Sequence, residues 1–257
     1  MLRVAFGVEY DGTAFCGWQM QKTGVRTVQE ELEKALASVA NTPVRVHCAG
    51  RTDTGVHGVG QVVHIETEAQ RSPRSWVLGA NSNLPFDVNV TWAKLVNEPF
   101  HARFSAISRA YRYIILNRMT RSSLHRNRAV WTHRPLDEDR MHEAAQLLVG
   151  THDFSSFRAL GCQAHSPVRT VSRLNVTHQG DQVIIDVEAQ AFLHHMVRNL
   201  AGVLMAIGRG DKPVDWAQEI LELRDRTKGG VTAPPEGLYL MHVGYPPEYE
   251  IPEPPEF

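Results

Sequence analysis

The chain opens on an alternating apolar and polar pattern that predicts a half-buried strand over residues 4–10. Apolar residues then recur at helical spacing over residues 28–39, which predicts an amphipathic helix. Thr27 and Glu30 stand in the positions of a capping box at the start of this helix, and Pro43 marks its predicted end.

A glycine-dense turn separates two apolar runs over residues 47–65, where the sequence is HCAGRTDTGVHGVGQVVHI. Because strand-like runs flank it, we expect this turn to be a loop near the rim of a sheet. Residues 73–81 predict a short helix, and residues 88–92 alternate again as a strand. A further strand is predicted over residues 109–115.

The second half of the chain has the same mixture of elements. Residues 137–149 predict a helix that ends at Gly150, and residues 179–181 predict the turn of a hairpin. Apolar spacing over residues 191–207 predicts another helix, followed by a final strand over residues 238–243. The helices do not separate the strands regularly, so the pattern predicts an α+β fold with a largely antiparallel sheet.

Composition narrows the class of protein. The chain has 257 residues, 42% hydrophobic and 21% charged, with a net charge of -1, so it is not a uniformly basic nucleic-acid binder and a polyanion site requires local charge segregation. Its three cysteines form no CxxC pair, which favours a reducing, cytoplasmic setting. No signal-peptide or membrane-span pattern is present, so we expect no membrane partner.

One carboxylate is isolated within the glycine-dense turn. Asp53 is the only acid between Glu33 and Glu66, and arginines and histidines surround it in the sequence. Glycines at this density let the backbone approach a ligand, and such loops often carry reactive side chains. The alternative is a hairpin whose aspartate bonds its own backbone as a turn former. Spacing alone favours neither interpretation.

A basic block follows, since residues 100–136 contain no Asp or Glu but many arginines. Within it Tyr111 and Tyr113 lie on one face of the predicted strand and Arg112 on the other. Arginines and aromatic rings together suit RNA, because guanidinium groups bind phosphates and rings stack on unpaired bases. The alternative is a strand with core tyrosines and a solvated arginine edge.

The sequence gives no sign of a metal or nucleotide site. None of the 13 histidines forms an HExxH pair, and no P-loop or GxGxxG pattern occurs. His194 and His195 are adjacent within a predicted helix and would point to different faces. We therefore expect no metal.

Short motifs along nearly the whole chain resemble those of the TruA-type tRNA pseudouridine synthases, in the same order. They are YDGT at 10–13, GWQ at 17–19, TVQ at 27–29, GRTD at 50–53, GVH at 55–57, FHARF at 100–104, YRY at 111–113, HDF at 152–154 with Phe157, MVR at 196–198 and GLYL at 237–240. One departure is Thr54, where the family commonly has alanine.

The resemblance implies a cofactor-free isomerase that converts uridine to pseudouridine at nucleotides 38, 39 and 40 in the anticodon stem-loop of tRNAs. It implies that Asp53 is the catalytic aspartate, that Arg198 forms an ion pair with it, and that Arg51 takes part in flipping the base. Tyr111 would stack on the target uridine. The basic block adds candidate substrate contacts, namely Arg103, Arg109 and Arg112.

The resemblance also implies a fold of two RRM-like (ferredoxin-like) α+β halves that share an extended, mainly antiparallel sheet, with the active-site cleft between them. We place the halves at residues 1–104 and 105–245, with a proline-rich tail at 246–257. A homodimer is implied as the usual assembly.

Two alternatives stay open at this point. A non-catalytic RNA-binding module is a second hypothesis, although a pure phosphate binder has no use for a carboxylate amid its own arginines. The sequence also leaves open whether Asp53 attacks C6 of uracil, attacks C1′ of ribose or abstracts a proton.

Overall fold

The structure is a computed structural model that describes all residues from Met1 to Phe257. Its ten strands are β1 (Leu2–Tyr10), β2 (His47–Cys48), β3 (His57–Thr67), β4 (Val88–Val96), β5 (Ser108–Asn117), β6 (Val130–Thr132), β7 (Gly150–Asp153), β8 (Val168–Gln179), β9 (Gln182–Ala189) and β10 (Leu238–Gly244). Its five α-helices are α1 (Val28–Ala40), α2 (Pro73–Asn83), α3 (Glu138–Gln146), α4 (Met196–Gly208) and α5 (Trp216–Leu223). No helix combines the length and the apolar character needed to cross a membrane.

The first of two compact units comprises Met1–Arg109 and Tyr239–Phe257. Its strands lie in the order β4, β1, β3, β10, with β2 paired to β3. β1 is antiparallel to both β3 and β4, whereas β10 pairs in parallel with the start of β3. Helices α1 and α2 pack against each other, and their apolar faces join β1 and β3 in one buried core.

The second unit comprises Ala110–Leu238. Its strands lie in the order β5, β9, β8, β7, with β6 paired in parallel to β5. β8 and β9 form the antiparallel hairpin that the sequence predicts, and Gly180 at its turn has a left-handed φ of 60°. Helix α3 packs on β8 and contacts α4 and α5.

The α+β class and the mainly antiparallel pairing predicted from the sequence are therefore confirmed. The first compact unit extends to Arg109 and includes the chain again from Tyr239 to Phe257. The proline-rich tail packs on this first unit, where Tyr249 contacts the ring of Phe100 and Phe257 contacts that of Tyr239.

The capping box predicted at the start of α1 is wrong. Thr27 does occupy the N-cap position, but its hydroxyl accepts no capping bond, and Glu30 pairs with Lys34 instead. The reason is tertiary. The backbone N–H groups of Val28 and Gln29 donate to the carbonyls of Gly17 and Trp18, so two of the donors at the helix start already have tertiary partners.

Two predicted helix bounds are also wrong. The helix predicted from residue 191 begins at Met196, because His195 before it adopts a left-handed φ of 61°. The helix predicted to end at Gly150 ends at Gln146, and Gly150, with a φ of 116°, opens β7 instead. Apolar spacing locates these helices but not the residues where the backbone turns.

The core of the first unit gives a stability prediction. Trp76 on α2 is 1% exposed and meets Phe6 of β1 edge to face, with ring centroids 5.7 Å apart. We expect Trp76→Ala to lower the free energy of unfolding by about 3–5 kcal/mol, because it removes a large buried ring and leaves a cavity. Leu78→Ala on the same helix is the control, since Leu78 is 54% exposed and should change stability by less than about 0.5 kcal/mol. Urea unfolding measures both, and equal effects would contradict this account of the core.

Candidate active site

Hydrogen bonds from outside the loop fix the backbone and side chain next to Asp53. The carbonyl of Thr52 accepts from the N–H of Trp18 at 3.0 Å, and the Thr52 hydroxyl bonds the Tyr10 hydroxyl at 2.8 Å. The carbonyl of Asp53 itself accepts from Val56 N–H at 3.2 Å. Asp53 is half-buried, so its carboxylate stands at a surface on a fixed backbone.

Two glycines permit this close packing. A Cβ on Gly17, whose φ is 82°, would lie 2.9 Å from the carbonyl oxygen of Thr52. A Cβ on Gly12 would lie 1.9 Å from the carbonyl oxygen of Val56. Any other residue at these positions would displace the loop on one side or the other of Asp53.

The exit of the loop is anchored at His57, the first residue of β3. Its Nδ1 accepts from Gly12 N–H at 3.0 Å, and its ring stacks on Tyr239 of β10 with centroids 4.6 Å apart. His57 is 3% exposed, so the exit of the Asp53 loop runs into the buried part of the sheet.

The predicted arginines of the first unit differ in their surroundings. Arg51 and Arg103 are exposed, and the Arg103 guanidinium lies over the Phe104 ring at 5.5 Å. Arg109 is half-buried and donates to the carbonyls of Ala49, Arg103 and Ala106. Arg109 therefore holds the start of the loop against residues 103–106, a structural task that the sequence did not reveal.

Three arginines of the first unit act electrostatically on Cys48, which lies at the start of the loop. Burial raises the pKa of the Cys48 thiol to about 12, and the charges of Arg51, Arg103 and Arg109 oppose that rise. The thiol is protonated at neutral pH and is not a nucleophile there. Cys48 is therefore not a candidate nucleophile, and Asp53 stays the candidate reactive group of the loop.

The imidazole rings of three histidines, His47, His64 and His101, pack together in the first unit. The His64 ring lies 5.0 Å from that of His47 and 4.6 Å from that of His101, measured between centroids. The Nδ1 of His64 accepts from Ala102 N–H at 3.1 Å. Burial, and then the nearby His101 and His47, lowers the pKa of His64 to about 3, so its ring is neutral at pH 7.

In the second unit, the two tyrosines of β5 have different environments. Tyr111 is half-buried and meets Phe192 edge to face, with ring centroids 5.0 Å apart. Tyr113 is fully buried, and its hydroxyl donates to the carbonyl of Pro234 at 2.8 Å. Burial raises the pKa of Tyr113. Tyr113 is thus a core residue, whereas Tyr111 is partly exposed.

Arg112, between these tyrosines, has a carboxylate partner. Its Nε and one terminal nitrogen donate to the two oxygens of Asp186 on β9, at 2.9 and 3.2 Å. Such a bidentate pair neutralises the charge of Arg112 locally. The substrate contact predicted for Arg112 therefore stays a prediction, made against an existing ion pair.

Arg198 lies in the first turn of α4 and is half-buried. Its Nε donates to the carbonyl of Ala233 at 2.8 Å, and its own carbonyl accepts from Ala233 N–H at 3.1 Å. Ahead of this turn the His194 and His195 rings lie 4.0 Å apart, outside the helix in which the sequence placed them.

Sequence reasoning missed residues that hold the neighbours of the candidate site residues. Tyr10 was predicted only as a strand position, yet its hydroxyl bonds Thr52. Asn199 was not singled out, although its buried amide bonds Arg226 and Thr232 beside Arg198. A signal existed for Tyr10, which opens the YDGT motif, whereas Asn199 gave none beyond a polar residue within an apolar helix.

A family model described as tRNA pseudouridine synthase matches residues 7–105 and 144–246. The chain belongs to the tRNA pseudouridine synthase family. This membership confirms the resemblance seen in the sequence and the expectation of an isomerase. The match includes the residues on both sides of Asp53 and the start of α4 with Arg198.

Relatives named tRNA pseudouridine synthase A agree with this membership. The protein of Nitrosococcus oceani is 59% identical over 98% of this chain and 96% of its own length. The protein of Pseudomonas aeruginosa is 56% identical over 98% of this chain and 88% of its own length. The protein of Alcanivorax borkumensis is 55% identical over 99% of this chain and 96% of its own length. A solved Cbf5-Nop10-Gar1 complex matches 93% of this chain and 49% of that chain, with 12% identity and a TM-score of 0.40, which is too weak a likeness to support a conclusion.

The bond between Tyr10 and Thr52 gives the first prediction for the site. Tyr10→Phe leaves the buried Thr52 hydroxyl without this partner, so we expect unfolding to become easier by about 1 kcal/mol. Turnover should also fall, because the residue before Asp53 gains freedom. Tyr249→Phe is the matched control, since the structure shows only a ring contact of Tyr249 with Phe100. Urea unfolding and pseudouridine formation measure the two effects, and unchanged values for Tyr10→Phe would contradict the role of this bond.

The neutral His64 predicts a pH dependence of stability. The folded protein excludes a proton that the unfolded chain binds below the ordinary histidine pKa of 6.5, so stability should fall as the pH drops from 6.5 towards 3. His64→Gln removes this proton uptake. Urea unfolding between about pH 7 and about pH 4 should show a slope smaller by up to about 1.4 kcal/mol per pH unit in that variant. His133→Gln, an exposed control, should keep the original slope, and a common slope in all three proteins would refute the assignment.

Proposed function

We propose that the chain isomerises uridine to pseudouridine at nucleotides 38, 39 and 40 in the anticodon stem-loop of tRNAs, with Asp53 as the nucleophile. The observation that carries the proposal is the half-buried carboxylate of Asp53 on a loop whose neighbours are fixed by Trp18, Tyr10 and Val56. A fixed loop orients a reactive group before the substrate arrives.

The reaction exchanges a C–N for a C–C bond. The bond between C1′ of the ribose and N1 of uracil breaks, a bond between C1′ and C5 forms, and the proton on C5 is lost while N1 gains one. Atoms and electrons balance without a redox partner, so no cofactor is required. A carboxylate nucleophile can hold one fragment covalently while the base rotates, as carboxylates do in other glycosyl transfers.

The target base leaves the helical stack to reach the carboxylate, at a cost of a few kcal/mol. In this proposal the exposed Arg51 assists the flip and the half-exposed ring of Tyr111 stacks on the uridine, which offsets part of that cost. The exposed Arg103 binds phosphate, whereas Arg109 and Arg112 act mainly through the partners described above.

Arg198 serves the ionised form of Asp53. A base that covers the carboxylate excludes water, which favours the neutral acid, and a guanidinium opposes that shift while orienting the carboxylate oxygens. Lysine fits this task less well because it lacks the planar fork of donors. The Nε of Arg198 is held by Ala233, which fixes the plane of the guanidinium.

The proposal includes a homodimer that acts in the cytoplasm without a bound metal. The three cysteines are free thiols, as a reducing compartment favours. Sedimentation equilibrium at micromolar concentration tests the assembly, and a monomer mass would refute that part alone.

Asp53→Asn is the decisive variant. We expect it to bind unmodified tRNA within a few-fold of the original affinity, because shape and nearby positive charge persist, but to form no pseudouridine. Carbodiimide mapping of tRNA incubated without any cofactor measures the product nucleotide by nucleotide. Asp139→Asn, an exposed carboxylate at the start of α3, should remain fully active. Pseudouridine formed by Asp53→Asn would exclude the nucleophile, and product at nucleotides other than 38, 39 and 40 would exclude the proposed target.

A further inference from the structure

Residues 225–234 run between α5 and β10 in the second unit and lie against α4. The contact is close. A Cβ on Gly202 of α4 would lie 1.8 Å from the carbonyl oxygen of Val231, and one on Gly230 would lie 3.2 Å from a methyl carbon of Val203. The segment therefore packs its backbone directly on the helix that carries Arg198.

A buried amide joins the segment to the helix. The Oδ1 of Asn199 accepts from the Thr232 hydroxyl at 2.7 Å and from a terminal nitrogen of Arg226 at 3.0 Å. The same Arg226 nitrogen donates to the Thr232 hydroxyl at 2.9 Å, and the other terminal nitrogen donates to the carbonyl of Gly230 at 3.0 Å. We call Asn199, Arg226 and Thr232 the Asn199 network.

The amide of Asn199 has only one orientation that satisfies its neighbours. Its Nδ2 donates to the carbonyl of Phe157 at 2.7 Å, while its Oδ1 faces two donors. A flipped amide would turn its oxygen towards a carbonyl and its NH₂ towards the Arg226 guanidinium, and each contact would be repulsive. Asn199 is 2% exposed, so water does not substitute for these bonds.

The network flanks the contact between Arg198 and Ala233, because it includes the chain neighbour of each residue. Asn199 follows Arg198 in the helix, and Thr232 precedes Ala233, whose carbonyl holds the Arg198 Nε at 2.8 Å. Ala233 N–H in turn donates to the Arg198 carbonyl at 3.1 Å. Since Thr232 is bonded to Asn199, the residues next to Arg198 and next to Ala233 are joined by a second contact besides the bond between Arg198 and Ala233.

We propose that the Asn199 network positions the Arg198 guanidinium for the reaction by fixing the carbonyl oxygen of Ala233. Asn199, Arg226 and Thr232 are positioning residues, because in this proposal they act on Arg198 through its contact with Ala233. The inference rests on the role proposed above for Arg198. It goes beyond that role in naming what sets the guanidinium's direction.

Thr232 gives the cleanest test, because Thr232→Val keeps the shape of the side chain and removes only the hydroxyl. Thr232→Ser keeps the hydroxyl and should restore the network. Thr227→Val is the matched control: Thr227 lies in the same segment and its hydroxyl bonds Asp225, away from Asn199. We expect Thr232→Val to lower kcat about tenfold with KM for tRNA within about twofold, since a misdirected group slows chemistry more than binding.

Thr232→Ser and Thr227→Val should both stay within about twofold of the original kcat. Thermal unfolding checks that every variant is folded at the assay temperature. An unchanged kcat for Thr232→Val would overturn the inference. An equal loss in Thr227→Val would also overturn it, because general loosening of the segment would then explain the effect.

A double-mutant cycle with Arg198→Lys shows whether the effect passes through Arg198. In single-turnover reactions, we expect Thr232→Val to add less than about twofold to the loss already caused by Arg198→Lys. Multiplicative losses would mean that the network acts elsewhere and would overturn the inference. If Arg198→Lys alone kept full turnover, the proposed role of Arg198 would fail, whatever Thr232→Val does.

Discussion

Two consecutive residues, Gly17 and Trp18, bond through their backbone on two sides, and the first unit depends on them. Their carbonyls accept the free N–H groups at the start of α1, and the N–H of Trp18 donates to the carbonyl of Thr52. The Trp18 side chain is 1% exposed within the core. The start of α1 and the Asp53 loop are thus both bonded to residues 17 and 18, so the position of the loop depends on the packing of α1.

Local periodicity was sufficient to predict most strands and helices, including β1, α1, the β8–β9 hairpin and β10. It failed where a tertiary contact replaced a local one. The hydroxyl of Thr27 makes no capping bond, and two of the N–H groups at the start of α1 donate to the carbonyls of residues 17 and 18. Alternation also placed Tyr111 and Tyr113 on one face of β5, but it could not show that only Tyr113 is fully buried.

The candidate site was found from the sequence because Asp53 is isolated among basic residues, and because the motifs resemble a known family. The sequence could not predict which arginines form ion pairs within the protein, since their partners lie far away along the chain. Fewer positive charges of the basic block at residues 100–136 are available to a ligand than its composition indicates. Arg112 pairs with Asp186, Arg118 with Asp181 and Arg134 with Asp211, so several of its charges are already matched.

The return of β10 to the first unit has a consequence for how the chain folds during synthesis. The start of β3, where His57 follows the Asp53 loop, pairs with Tyr239 and Leu240, which the ribosome makes only after the whole second unit. Until then this edge of β3 has open backbone groups, and His57 lacks the ring that stacks on it. The Asp53 loop therefore acquires the pairing at its exit last, after all of α1 to α5 have been synthesised.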